Sequence, residues 1–106
     1  MEIIFNDDEL CSLYEGKKIK NKEYQSNPQL VKQFIKTVKL MQSVSRVEQL
    51  TQFYTLNYHK LGGKLDGLST VYVNKQYRIL FTEVPEEEPP HIVRIVKIEE
   101  LSKHYQ

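Results

Sequence analysis

The 106-residue sequence predicts a single domain of the α+β class, and three observations predict it. Leu30, Phe34, Val38, Met41, Val44 (or Ser45) and Val47 recur at spacings of three or four, the mark of a helix with one apolar face. From Val71 to Phe81 the period drops to two, with Val71, Val73, Tyr77, Ile79 and Phe81 apolar and odd-numbered. His91–Ile98 is apolar on both faces, which suits a strand with neighbours on either side. Helices grouped before strands indicate α+β rather than an alternating α/β chain. A chain of this length builds one core and not two, so residues 1–106 are taken as one domain.

The elements follow in order. Glu2–Phe5 is a short apolar run suited to an edge strand. Asn6, Asp7 or Asp8 caps a short helix to about Tyr14, because such side chains accept the free N–H groups of a first turn. Gly16 stops that helix. The segment KKIKNKEYQS has no clear period and reads as a loop. Asn27-Pro28 starts the long helix, with Asn27 as cap and Pro28 in the first turn. A bend or break is expected near Ser43-Val44-Ser45, with the apolar pattern running on to Leu50 and Phe53. A three-residue loop at Asn74-Lys75-Gln76 keeps the odd residues on one sheet face. It sets Val73 against Tyr77, Val71 against Ile79 and Tyr72 against Arg78, leaving Tyr72 and Arg78 on the face away from the helices. The prolines and glutamates of residues 84–90 make a stiff acidic loop joining Tyr77–Val84 to His91–Ile98 as a hairpin. Glu99–Tyr105 reads as a last helical turn.

Composition narrows the chemistry. The net charge of +1 conceals a basic centre, with eight basic and two acidic side chains between residues 27 and 81 and acidic flanks on both sides. Such a local field suits phosphate groups. Lys32, Lys36 and Lys39 fit the solvated stripe of a helix. The one cysteine, Cys11, makes no internal disulfide and reads as a packed thiol. No apolar run nears the roughly 20 residues of a membrane span. With no signal-peptide pattern at MEIIFNDDEL, a cytoplasmic protein without a membrane partner is expected. His59, His91 and His104 are too scattered for a metal-ligand motif, and Gly62-Gly63 lies outside any strand-Gly-x-Gly-helix context.

The run LNYHKLGGKLDGLSTVYVNKQYRILF, Leu56 to Phe81, resembles the HigB branch of the RelE/ParE toxin superfamily. The resemblance rests on the histidine loop at His59, glycines at Gly63 and Gly67, Val73-Asn74, and the strand Tyr77-Arg78-Ile79-Leu80-Phe81. With the LMQSVSRVEQL segment upstream, it covers the chain from about Ile3 to Ile98. It implies a RelE-like fold, an N-terminal strand and two helices packed on one face of a twisted antiparallel sheet. It also implies a type II toxin that cleaves messenger RNA on the ribosome without a cofactor. The expected partner is a HigA-like helix-turn-helix antitoxin, through which alone operator DNA is bound. A ParE-like gyrase inhibitor, or a homologue that only grips its antitoxin, is the alternative.

Roles carry over by position. Arg78 matches the strand arginine and would clamp the scissile phosphate; its structural alternative is an ion pair with Glu83. His59 matches the loop histidine and would serve as base or acid. Lys60, Lys64, Tyr72 and Lys75 are the expected RNA-binding residues. The chain departs from the pattern at its end. Lys97-Ile98-Glu99 stands where these toxins often carry an Asp-Tyr-His-like triplet, so His104 and Tyr105, which come later, are the remaining catalytic candidates.

Overall fold

The computed structural model describes residues 1–104; Tyr105 lies outside them. β1 (Glu2–Phe5) leads into α1 (Asp8–Tyr14), α2 (Lys22–Gln25) and α3 (Pro28–Gln42). Two 3₁₀ segments, Val47–Gln52 and Tyr54–Leu56, precede β2 (His59–Lys60), and β3 (Ser69–Tyr72), β4 (Tyr77–Pro85) and β5 (Val93–Lys103) complete the chain. One five-stranded sheet runs in the order β1-β5-β4-β3-β2.

The caps stand where local chemistry puts them. Asp7 accepts from the Leu10 N–H at 2.8 Å, and Asn27 accepts from the Leu30 N–H at 3.2 Å with Pro28 in the first turn. Gly16 follows α1 with φ of 77°, a conformation that costs glycine no Cβ clash. The helix stripe is the core: Leu30, Phe34, Val38, Met41, Val44 and Val47 are all buried, and they meet Val71, Ile79, Phe81, Val96, Ile98 and Leu101 from the sheet. Val44, not Ser45, continues the stripe after the break, because the chain leaves the α-helix at Gln42 and resumes as a 3₁₀ helix at Val47.

Three expectations change. The sheet is mixed and not wholly antiparallel: β1 pairs in parallel with β5, Ile3 opposite Val96, after a long crossover through the helices. The lysine-rich segment is not all loop. Asn21 caps α2 by accepting from the Glu23 N–H at 3.0 Å, and Tyr24 anchors it by donating its hydroxyl to the Leu101 carbonyl at 2.6 Å. The last segment is strand and not helix, because β4 offers Tyr77–Leu80 as a pairing edge to Glu100–Lys103. A bulge at Glu99 absorbs the shift between the Leu80–Glu100 and Phe81–Ile98 pairs. That extension carries Ser102 opposite Arg78.

The α2 anchor titrates. Burial, reinforced by nearby carboxylates including Glu23, pushes Tyr24 and Tyr77 up to about 12. Tyr77 donates its hydroxyl to Glu23 at 2.6 Å. Both phenols keep their protons in the folded chain at pH values where the unfolded chain, with an ordinary phenol near 10, has lost them. Their contribution is therefore complete below pH 10 and is lost as the pH rises through about 12. Urea titrations across that window are expected to show falling stability, with a shallower fall for Tyr77→Phe.

Candidate active site

The face of the sheet turned away from the helices carries the sequence-predicted residues. The Asn74 turn decides this. Asn74 Oδ1 accepts from the N–H groups of Gln76 and Tyr77 at 2.8 and 2.7 Å, and its Nδ2 donates to Gln33 at 2.8 Å. The three-residue loop is thereby pinned, and the predicted register follows: Val71 opposite Ile79 and Tyr72 opposite Arg78. Odd residues point into the core, so Tyr72 and Arg78 point away from it.

Four candidates converge there. Arg78 stands in a cross-strand row between Tyr72 and Ser102. The His104 N–H donates to the Gln76 carbonyl at 2.8 Å, and its ring meets Tyr72 edge-on at 4.4 Å between centroids. His59, opposite Thr70 on β2, approaches Tyr72 from its own strand at 6.3 Å, again edge-on. Tyr72 thus gathers both histidines around the arginine row.

The polar atoms of this cluster have unspent capacity. Arg78 Nε and His104 Nε2 are buried and have no hydrogen-bond partner among the described residues. A buried donor such as Arg78 Nε left unpaired costs about 1–3 kcal/mol, so its hydrogen-bonding capacity is not spent on holding the fold. The proposed Arg78–Glu83 ion pair does not form. The two residues are five apart on β4 and project to opposite faces, and Glu83 is already engaged by Tyr58 and Ser69, whose hydroxyls donate to it at 2.5 Å each. His59 has a defined tautomer. Its Nδ1 lies 2.7 Å from the Asn57 carbonyl, which only accepts, so Nδ1 carries a proton, and in the neutral ring Nε2 is the nitrogen with the lone pair.

The lysines are placed differently. Lys60 follows His59 on β2 and turns to the other face, with Nζ 4.0 Å from Glu83. Lys64 is exposed on the 3₁₀ turn Gly63–Leu65, and Lys75 is exposed at the tip of the β3–β4 turn. Only Lys75 sits on the hairpin that carries Tyr72 and Arg78. Among the described residues no group of three or more His, Cys, Asp or Glu side chains converges as a metal site.

Sequence reading missed Ser102 and the Tyr58–Ser69–Glu83 cluster. Burial, and then the bond to Glu83, raise the Tyr58 phenol well above its ordinary value, so it stays a donor. The strand parity of Ser69 and Glu83 was a usable signal for that cluster. Ser102 had none, since nothing local marks residues 99–103 as strand.

No protein-family model matches the sequence, and no curated protein matches it significantly. Solved structures do. The YoeB-YefM complex from Staphylococcus aureus aligns over 99% of this chain and 98% of its own, with a TM-score of 0.56 and 19% identity. The YoeB/ParE toxin from Agrobacterium tumefaciens aligns over 99% of this chain and 100% of its own, with a TM-score of 0.55 and 9% identity. The chain has the YoeB/ParE toxin fold. Coverage is end to end while identity is low, so the likeness is one of fold.

Proposed function

We propose that the chain is the toxin of a type II toxin-antitoxin system, and that it cleaves messenger RNA on the ribosome in the manner of the HigB branch. The observation that carries this is the half-buried Arg78, its Nε unpaired among the described residues, opposite Tyr72, whose ring meets both His59 and His104. His59 Nε2 takes the proton from a ribose 2′-OH. The freed oxygen attacks the adjacent phosphorus, and the bond to the 5′ oxygen breaks to leave a 2′,3′-cyclic phosphate. His104 supplies the proton to the departing 5′ oxygen, with Tyr105 a further candidate donor. Arg78 offsets the charge that grows on phosphorus. Tyr72 stacks on RNA, and Lys75 takes a neighbouring phosphate; Lys60 and Lys64 are candidates for more distant ones.

The partner is a HigA-like helix-turn-helix antitoxin, and operator DNA is met only through that complex. Support comes from the solved YoeB-YefM complex, which has this fold, and from the basic stretch between residues 27 and 81. Messenger RNA and the ribosome are cytoplasmic, and so would be the toxin.

Primer extension on a messenger RNA tests the reading. Cuts that appear with translating ribosomes and not without them are the expected outcome. A folded protein that makes no cut in either reaction overturns it.

A further inference from the structure

Beside the arginine row lies a groove of about 830 Å³, within the roughly 300–1,000 Å³ of small-ligand sites. Its walls include four aromatic rings, Phe53, Tyr54, Tyr58 and Tyr72, together with Asn57 and Lys75. We propose that this groove binds a nucleotide of single-stranded RNA next to the scissile phosphate, with its base stacked on Tyr54. The inference rests on the RNA-cleaving reading and specifies where the substrate runs.

The observations converge on an RNA occupant. Tyr54 is 94% exposed on a short 3₁₀ turn, an unusual position for a large ring with no packing role. Tyr58 is held rigid beside it: its hydroxyl is tied to Glu83 and its ring is stacked on Phe81 at 6.2 Å. Aromatic faces on rigid supports accept any base, and a nearby cation accepts the phosphate. Lys75 provides that cation and makes no ion pair among the described residues. Continuity decides which nucleotide is held. Tyr72 lines the groove and also touches the His59 and His104 rings, so a strand seated at Arg78 enters the groove within a nucleotide or so. The groove also has space along β3, since β2 pairs only with Ser69 and Thr70 and leaves Tyr72 beyond its end.

Two readouts test this on the whole chain: ribosome-dependent cleavage, and binding of a 2′-O-methylated single-stranded oligoribonucleotide carrying 2-aminopurine. Tyr54→Ala is expected to weaken oligonucleotide binding about tenfold and to cut kcat/KM for cleavage by a similar factor, while Tyr54→Phe keeps both. The exposure of Tyr54 makes loss of folding a poor explanation for either change. Wild-type binding and cleavage by Tyr54→Ala would overturn the inference. So would a Tyr54→Ala loss confined to antitoxin binding, which would assign the groove to a protein segment. Wild-type protein that binds the oligonucleotide through Tyr54 but cuts nothing would retain the groove assignment and remove the cleavage reading. Neither binding nor cutting would remove both.

Discussion

Arg78→Ala is expected to lower ribosome-dependent cleavage by at least about 10²–10³-fold while changing stability by less than about 1 kcal/mol. Two features of the site set these magnitudes. The guanidinium is the cation at the centre of the row, and Tyr72, His59 and His104 offer no positive charge of equal permanence. Its Nε has no partner among the described residues, so truncation strands no buried group, and only the packing of the side-chain stem is lost. Arg78→Lys is expected to recover a minor part of the rate, since an ammonium keeps the charge but not the planar fork. Single-turnover cleavage with translating ribosomes, beside urea unfolding of the same proteins, checks both halves. A variant that unfolds as easily as it loses activity would give Arg78 a structural role instead.

Phe81→Ala, three residues along the same strand, is expected to do the reverse. Phe81 is fully buried in the core on the helix face of the sheet, and Tyr58 stacks against it. Truncating such a ring costs about 3–5 kcal/mol in lost transfer energy and cavity formation. That is a large share of the roughly 5–15 kcal/mol that holds a domain together. Phe81→Leu is expected to lose less, because it keeps most of the apolar volume. Chemical denaturation with linear extrapolation measures both. Cleavage by whatever fraction stays folded is expected to persist at a reduced level, since Phe81 does not reach the Arg78 face but does support Tyr58 in the groove wall. The pair separates the two faces of β4, one of which holds the fold while the other offers the site.

The chain's local chemistry determined a large part of this by itself. Caps at Asp7 and Asn27, the stop at Gly16 and the stripe from Leu30 to Val47 depend on neighbours within a turn or two, so they are legible in a string of residues. The register of the β3–β4 hairpin is local too. One short turn fixes the parity of every residue on both strands, and Arg78 and Tyr72 followed from it. Long-range pairing decided the rest. Residues 99–103 have no strand signal of their own and become strand only because β4 presents an open edge, and this brings Ser102 opposite Arg78 and His104 against Tyr72. The parallel partner of β1, the docking of α2 through Tyr24 and the direction of Lys60 likewise depend on atoms distant in sequence. The aromatic groove is of the same kind, because Tyr54 and Lys75 become neighbours of one cavity only after the sheet has closed around them. Periodicity and capping record interactions within a few residues. A site assembled from residues 59, 72, 78 and 104 records the fold, and only the fold places them together.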